Sequence, residues 1–423
     1  SINQSGQIKA DGDSGGTVTI AARDTLQTTG QIDANGTTAV GGEIKLLGRD
    51  INLLDLTRVN ASGATGGGSI YVGGGWQGSG NLPQATTVNI ARDVVLNASA
   101  TQSGHGGTIV AWSDITKSSS LTTVNGQLIA KGGAQSGNGG KIETSGYLLD
   151  VDAIRVSTEA PNGVTGEWLI DPYDITISNG TASGTTGTYT ANANSALVNV
   201  TALQNALANT NVTVTTGNPG SAGAQSGNIT VADAITNSTA NSLTLKAANN
   251  IVINADINST GTGALILRAG SGSVSGTGTL IMGSASNTTG ANLQLAHNTT
   301  LANNIRLDGA TTIGFADLEV EYLIVGGGGG GAGRDVGGGG GAGGLLQGVA
   351  TISIGETDVM VGAGGVGGTD SVGNRHGRRG NDSIFAGITA SGGGGGAGYE
   401  TAAGAFQKGD SGGGGAGITV LTE

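Results

Sequence analysis

The residues best suited to recognition chemistry lie in one short basic segment near the end of the chain. The sequence Asn-Arg-His-Gly-Arg-Arg at positions 374–379 places three arginines and a histidine together in a chain whose formal net charge is −12. Guanidinium groups donate paired hydrogen bonds to carboxylates, sulfates and phosphates. The candidate recognition residues are Arg375, His376, Arg378, Arg379 and Tyr399. An ordinary solvated loop is one interpretation of this segment, and the sharper alternative is a recognition loop for an acidic glycan or an acidic neighbouring subunit.

The sequence contains only weak patterns for binding a metal ion or a cofactor. His105, His297 and His376 stand far apart and predict no metal triad. The chain has no Cys, which excludes a disulfide framework and a Cys-based zinc site. Gly-Gly-Thr-Asp at positions 367–370 resembles one copy of a calcium-binding repeat that requires tandem copies. The glycine runs also lack the Lys-Ser/Thr of a phosphate-binding loop. We therefore predict no metal and no cofactor.

Paired carboxylates, which glycan-cleaving enzymes use as acid and base, are scarce in the first 318 residues. Asp11 with Asp13, and Asp171 with Asp174, are the close pairs of note. Aspartate is common at turns because its side chain bonds to nearby backbone amides. We expect turn or corner roles for all four residues, with no catalytic residue and no enzymatic activity. A carbohydrate-active β-helix enzyme, either a polysaccharide lyase or a hydrolase, remains the alternative.

The composition excludes several other classes. Glycine fills 85 of 423 positions, charged residues make up 11% and aromatic residues 3%. The apolar share of 36% is too high for a disordered polyelectrolyte, and glycine follows no strict three-residue period of the collagen kind. Acidity argues against nucleic acid as a partner, and no apolar run reaches the length of a transmembrane helix. The chain starts within a repeat without a leader, so we expect a longer precursor.

A repeated element organises the first part of the chain. A Gly-Gly pair followed by alternating apolar residues recurs five times, with steps of 26, 26, 39 and 33 residues between the first glycines. The pairs begin at Gly15, Gly41, Gly67, Gly106 and Gly139. The longest step contains an inserted loop, predicted from Gly73 to Thr87. Each repeat therefore predicts two or three short strands separated by turns.

Small aliphatic residues at the inward positions favour a solenoid. Stacked coils enclose a narrow interior that Ile, Val, Leu and Ala can fill, whereas a sandwich of this size would need aromatic side chains. We predict a right-handed parallel β-helix of about 14 coils, with repeats over residues 1–165 and a junction and second segment over residues 166–318. A β-sandwich is the alternative. Ice binding is disfavoured, because Thr17-Val18-Thr19 is not repeated in register.

The segment at positions 166–177 differs from its surroundings and predicts a structural junction. Trp168, Pro172 and Tyr173 fall within six residues, and proline lacks the amide that a strand ladder requires. We interpret them as cover over an irregular stretch where the coil register changes, with a sugar-stacking Trp168–Tyr173 pair as the alternative. Beyond it, residues 201–208 predict the only helix, with Thr201 as its N-cap.

Glycine dominates the end of the chain. Residues 319–423 contain 38 glycines, several in runs of four to six, between five strand-like apolar segments. Glycine runs can form three-fold helices of the polyproline II type, which pack through backbone hydrogen bonds. We predict a compact bundle of polyglycine-II-like helices braced by short strands. The alternative is a flexible linker.

The Gly-Gly-x-Ile repeats and the Trp168-Leu169-Ile170-Asp171-Pro172 segment resemble the filamentous-haemagglutinin-type exoproteins. The resemblance covers residues 1–315 and implies two-partner secretion through an outer-membrane pore of a Gram-negative bacterium, followed by folding outside the cell. The family's N-terminal secretion domain and Asn-Pro motifs are not found in this sequence. Residues 319–423 are similar to glycine-rich modules of bacterial surface proteins and phage tail adhesins.

These observations together predict an extracellular, cell-surface structural or adhesive protein. A solenoid rod of this kind would assemble head to tail into a filament, or attach to a host cell, a neighbouring cell or a glycan, and support biofilm formation. A phage-tail-type receptor-binding adhesin is a further alternative. Because a fold does not determine a function, these expectations rest on the resemblance.

Overall fold

The computed structural model describes residues 1–398, apart from positions 173, 181–182, 185–187, 190–195, 217–225, 271, 285–290, 297–298, 316, 334–336, 353–356 and 372–374. The chain divides into two compact units, Ser1–Phe315 and Ala316–Glu423. No helix in the described part is long and apolar enough to cross a bilayer.

The first unit is built almost entirely from short strands. Before residue 171 these are β1 (Ile2–Gln4), β2 (Gln7–Lys9), β3 (Thr17–Ala21), β4 (Thr25–Thr28), β5 (Gln31–Asp33), β6 (Glu43–Leu47), β7 (Asp50–Leu53), β8 (Arg58–Asn60), β9 (Ser69–Val72), β10 (Thr87–Ile90), β11 (Val95–Asn97), β12 (Thr108–Trp112), β13 (Leu121–Val124), β14 (Gln127–Ile129), β15 (Lys141–Ser145), β16 (Leu148–Asp150), β17 (Arg155–Ser157) and β18 (Glu167–Ile170). A 3₁₀ turn, Trp76–Gly78, lies between β9 and β10.

The remaining elements of this unit continue the same pattern around one helix. They are β19 (Ile175–Ser178), β20 (Ser183–Gly184), β21 (Thr188–Tyr189), β22 (Ala196–Asn199), α1 (Val200–Leu207), β23 (Asn211–Thr215), β24 (Ile229–Val231), β25 (Ile235–Asn237), β26 (Leu243–Ala247), β27 (Ile251–Ile253), β28 (Ile257–Ser259), β29 (Ala264–Ala269), β30 (Val274–Ser275), β31 (Thr279–Met282), β32 (Ala291–Leu295), β33 (Asn304–Leu307) and β34 (Thr311–Phe315).

Successive strands join three sheets in turn. Most strands therefore pair in parallel with the strand three positions later in the sequence. The first sheet has the order β1-β4-β7-β10-β13-β16-β22-β19-β24-β27-β30 and the second the order β3-β6-β9-β12-β15-β18-β23-β26-β29-β32-β34. The third consists of β2-β5-β8-β11-β14-β17 and, beyond the helix, β25-β28-β31-β33. The fold is therefore nearly all-β with long parallel sheets. The β-sandwich alternative is wrong, because its sheets would be antiparallel.

The stacking places like residues above one another. One inward row of the second sheet runs from Val18 through Ile44, Ile70 and Ile109 to Ile142 on consecutive levels. Each of these side chains is buried, and they belong to one apolar cluster that extends to Leu293. Residues on both sides of position 166 therefore share one core. The second sheet has eleven levels, so the expected 14 coils were too many.

The order of the first sheet is irregular at one place. Strand β22 lies between β16 and β19, although β19 precedes it in sequence. The chain then forms α1, which contacts β17 and β25 at the point where the third sheet is interrupted. Asn199, rather than the expected Thr201, is the N-cap: its Oδ1 accepts from the amides of Thr201 and Ala202 at 2.8 and 3.2 Å. Asn is the better cap, since its carbonyl reaches both free amides.

The second unit contains two small antiparallel sheets. Their strands are β35 (Leu318–Val325) with β36 (Leu345–Ile352), and β37 (Val359–Met360) with β38 (Ser383–Phe385) and β39 (Ile388–Ala390). The expected strand at positions 418–421 and the glycine run at 412–415 lie outside the described residues.

Between these strands, five glycine-rich segments form a hydrogen-bonded lattice. The central segment, 326–333, bonds to segments 338–344, 361–369, 375–381 and 391–398. Donors recur at every third residue of the central segment. Toward 338–344 the bonds are Gly326 N to Gly344 O, Gly329 N to Gly341 O and Ala332 N to Gly338 O, at 2.8, 2.8 and 2.9 Å. Toward 375–381 they are Gly327 N to Asn381 O, Gly330 N to Arg378 O and Gly333 N to Arg375 O, all 2.9 Å.

The lattice excludes side chains at recurring positions. A Cβ on Gly330 would lie 2.2 Å from the carbonyl oxygen of Val366, whereas a Cβ on Gly331 would find no atom closer than 3.9 Å. Neighbouring backbones therefore approach more closely than any other residue type permits. The flexible-linker alternative does not fit the described glycine segments, since their amides are paired in this lattice.

Candidate functional site

The basic segment is part of the glycine lattice and not a loop. The carbonyl oxygens of Arg375 and Arg378 accept hydrogen bonds from the central segment, and the amides of Gly377 and Gly380 donate to Gly396 and Gly393 at 2.9 Å. The backbone of the segment is therefore held in place, and the role of its side chains stays a prediction. Glycine is required at positions 377 and 380, where a Cβ would lie 1.8 and 2.0 Å from another backbone oxygen. Asn374 lies outside the described residues.

The side chains of this segment differ in their surroundings. Arg378 is exposed, whereas Arg375, His376 and Arg379 are half-buried. Arg379 forms an ion pair with Asp382. The amide of Gly392, at 2.8 Å, and the Arg379 guanidinium together lower the pKa of the Asp382 carboxyl.

His376 is also tied to the lattice. Its Nδ1 accepts from the amide of Gly398 at 3.1 Å. Tyr399 lies outside the described residues. Arg378 is therefore the member of the predicted set whose side chain is available to a partner.

The junction expected at positions 166–177 reaches the point where the strand order of the first sheet changes, at β19. Trp168 itself lies in a regular part of the second sheet and not over an irregular stretch. It is fully buried, and it pairs with Ile142 on β15 and Val212 on β23 in an uninterrupted register. Its indole Nε1 donates to Thr144 Oγ1 at 3.1 Å. Burial also rules out the sugar-stacking alternative, because no ligand reaches the ring. Pro172 is buried two residues after β18 ends, and Tyr173 lies outside the described residues.

Two of the four aspartates, one in each pair, link one coil to another, and the corner role of Asp13 and Asp171 stays a prediction. Asp11 Oδ1 accepts from the amide of Asn35 on the next coil at 2.7 Å, and Asp174 Oδ1 accepts from the amide of Asn228 at 2.6 Å. Each carboxylate thus fixes one coil to another. Within the described ranges, no group of three His, Cys, Asp or Glu residues could hold a metal ion.

An inserted loop, residues 73–86, covers part of the outer face of the second sheet, and no sequence pattern indicated what lies beneath it. Trp112 is 1% exposed, and its Nε1 donates to Gln84 Oε1 of the loop at 3.1 Å. Side chains at Gly74 and Gly78 would meet the Trp112 ring at 2.4 and 2.6 Å. The length of the insertion signalled a loop, but only the contacts show that it closes over this ring.

A buried carboxyl anchors the same loop. Glu143 is fully buried; its Oε2 accepts from the amide of Gln77 at 2.7 Å and its Oε1 from Ser145 Oγ at 3.0 Å. Burial raises the pKa of Glu143 to about 8, and the negative charge of Asp171 adds to the shift. The two hydrogen bonds and Lys141 act in the opposite direction. Sequence inspection missed Glu143, because one glutamate in a strand carries no motif.

Trp76 lies in the same loop, next to Gln77. The Lys141 ammonium lies 4.3 Å from the centroid of a Trp76 ring, a cation–π contact. Trp76 is half-buried, so one part of its surface stays open to solvent. Next to it, the outer face of the second sheet forms an open groove of about 750 Å³, lined in part by Lys141 and Glu167.

Residues 305–421 match the glycine-rich domain family. The match includes the lattice and its flanking strands, together with the last two strands of the first unit. None of the curated proteins matches the chain.

Proposed function

We propose that this protein is an extracellular structural and adhesive protein, a β-solenoid stalk joined to a polyglycine module. The observation that carries the proposal is the eleven-level stack of parallel strands over one aliphatic core. In such a stack each coil contacts only its neighbours, so repetition extends the molecule and multiplies exposed surface instead of enclosing a pocket. Extended surface is what attachment and assembly require.

The finer architecture belongs to the same proposal. We assign the stack a right-handed winding, because crossovers between parallel strands are right-handed in almost all proteins. We assign the glycine segments to polyglycine II. Support comes from the hydrogen bonds at every third residue and from the four neighbours around segment 326–333.

An outer-surface location follows from the resemblance to filamentous-haemagglutinin-type exoproteins. The chain has no Cys, which suits passage through an oxidising compartment. A stack with nearest-neighbour contacts can also form coil by coil as a chain emerges from a pore. An outer-membrane secretion pore is thus the proposed transport partner.

Arg378 is the proposed contact to a partner. Its guanidinium is exposed on a lattice whose backbone is fixed, so little further ordering is needed to bind a carboxylate or sulfate. A chain of net charge −12 also offers acidic surface on a second copy of itself. The proposed partners are therefore acidic surface glycans and, for head-to-tail assembly, an acidic neighbouring copy.

Attachment and assembly can be measured together on the full chain. Beads coated with the protein should attach to epithelial or bacterial cells more strongly than albumin-coated beads, or dilute protein should form filaments in electron micrographs. Absence of both would overturn the proposal.

Two substitutions separate the proposed contact from general charge effects. Arg378→Glu should reduce attachment or assembly at least several-fold. Arg23→Glu makes the same charge change at an exposed position of the first unit and should leave both unchanged. Equal effects of the two variants would remove Arg378 from the proposal.

A further inference from the structure

The open groove of about 750 Å³ lies on the outer face of the second sheet, where strands leave the Gly-Gly corners. It crosses β12, β15, β18, β23 and β26, five consecutive levels of the stack. Four steps of about 4.8 Å between paired strands give a length of about 19 Å. This is an elongated site across strands, suited to a chain-like ligand.

Polar side chains line the groove in register. Thr108, Lys141, Glu167 and Asn211 are aligned partners on the first four of these strands. A second row, two residues further along the strands, brings Thr213 beside its partner Thr244. The groove therefore offers a regular series of hydrogen-bonding groups at strand spacing.

Much of this hydrogen-bonding capacity is unused within the protein. The hydroxyl groups of Thr108, Thr213 and Thr244 and the carboxylate of Glu167 make no hydrogen bond or ion pair to any residue that the structure describes. All four residues are half-buried. Side chains in this position are partly held by their neighbours, yet their polar atoms face solvent and can bind a ligand at low entropic cost.

The corners allow a ligand to come close to the backbone. Gly107, Gly140 and Gly166 form part of the lining and carry no side chain that would fill the groove. Lys141 in the lining is held by a cation–π contact to Trp76, which lies outside the lining. The loop that carries Trp76 is fastened by the bond from the Gln77 amide to buried Glu143, so this contact is anchored.

We propose that this groove binds an extended, neutral polysaccharide. Hydroxyl groups both donate and accept, as sugar hydroxyls do, and the repeat of an extended glycan is close to the spacing of the strands. Lys141 and Glu167 are register partners of opposite charge, so the groove has no net charge from this pair. A polyanion would meet Glu167 and the acidic chain as a whole, which disfavours it.

The inference deepens the proposed function: it assigns a second glycan contact, in the first unit, and rests on that function for its biological role only. Binding in solution is measurable whether or not the protein attaches to cells. A loss of attachment with intact oligosaccharide binding, or the reverse, separates failure of one proposal from failure of the other.

The test is calorimetric titration of the full chain with cellohexaose and with chitohexaose, each a neutral oligosaccharide, and with a heparin hexasaccharide as the acidic comparison. At least one neutral ligand should bind at one site per chain, and the Arg378→Glu variant, which removes the proposed acidic-glycan contact, should bind it equally. No binding of either neutral ligand would overturn the proposal, and so would tighter binding of heparin than of the neutral ligands to the Arg378→Glu variant.

Two variants locate the site. Thr213→Tyr places a large side chain in the groove and should weaken binding at least tenfold. Thr230→Tyr makes the same change on β24, on the first sheet and away from the groove, and should bind like the unmodified chain. A circular-dichroism spectrum checks that both variants fold. Equal affinity of a folded Thr213→Tyr variant would contradict the assignment.

Discussion

The two units of this protein are packed in opposite ways, one around side chains and the other around backbone. In the first, parallel strands enclose a continuous aliphatic core, and the backbone lies around it. In the second, backbones form the interior, and Ile324, Ala390 and Ala397 are the buried apolar residues among those that the structure describes. One unit is therefore stabilised mainly by side-chain burial and the other by dense backbone hydrogen bonding.

Glycine serves both designs at points of close backbone approach. A Cβ on Gly42, at a corner of the first unit, would lie 1.9 Å from the carbonyl oxygen of Gly16 on the preceding coil. In the lattice, a Cβ on Gly330 would lie 2.2 Å from Val366 O. The two units differ in how often such close backbone contact occurs. In the first unit it occurs at the corners of the stack, whereas in the lattice it recurs along each glycine-rich segment. Aliphatic residues can occupy the strands of one unit but few places in the other.

The largest expected effect concerns the first unit and tests whether side-chain burial stabilises it. Trp168→Ala removes a fully buried ring from the core and leaves the Thr144 hydroxyl without its indole donor, so the first unit should lose about 3–5 kcal/mol of unfolding free energy. All three tryptophans lie in the first unit, so the fluorescence of the two that remain reports its urea unfolding. Trp76→Ala, at a half-buried ring, is the matched control and should cost far less. Comparable losses would show that burial does not govern this unit.

A smaller effect is expected in the second unit, which is stabilised by backbone hydrogen bonds. Gly330→Ala forces a Cβ against Val366 O and should destabilise the lattice by about 1–3 kcal/mol, whereas Gly331→Ala, one residue along, has room for its methyl group. Amide exchange followed by mass spectrometry should accelerate in segments 361–369 and 375–381 for the first variant only, because Val366 and Arg378 contact Gly330. Tryptophan fluorescence should not change. If both variants exchange alike, the described packing of the glycine segments is wrong.

The effect that is smallest over a single pH unit concerns the buried carboxyl under the inserted loop. The pKa of Glu143 is about 8 in the folded protein and near 4.5 when exposed, so the folded state holds the proton more tightly between these values. Its contribution to stability is complete below pH 4.5 and is lost as the pH rises toward 8, by at most about 1.4 kcal/mol per pH unit. Glu143→Gln should flatten this slope of unfolding free energy against pH in urea titrations. An unchanged slope would show that Glu143 does not titrate in this window.

The regular parts of both units were accessible from the sequence because they depend on local patterns. Alternation after each Gly-Gly pair predicted strands such as β3 and β6, and the recurrence of the pair predicted that successive coils stack. Leu203 and Leu207, four residues apart, predicted α1. Its cap was misplaced by two residues, since Thr201 and Asn199 are both acceptable caps and only the backbone conformation chooses between them.

By itself, the sequence determined the period, the glycine corners and the division between an aliphatic and a glycine-rich region, because each follows from residue types close together in the chain. The tertiary structure alone decided that Trp168 donates to Thr144, 24 residues earlier, and that Gln77 holds Glu143, 66 residues later. It also placed the basic segment inside a lattice, where the sequence suggested a loop. The reason is physical. The coils differ in length, so which residues of neighbouring coils come into contact depends on how the coils align in the stack. No short sequence pattern encodes that alignment.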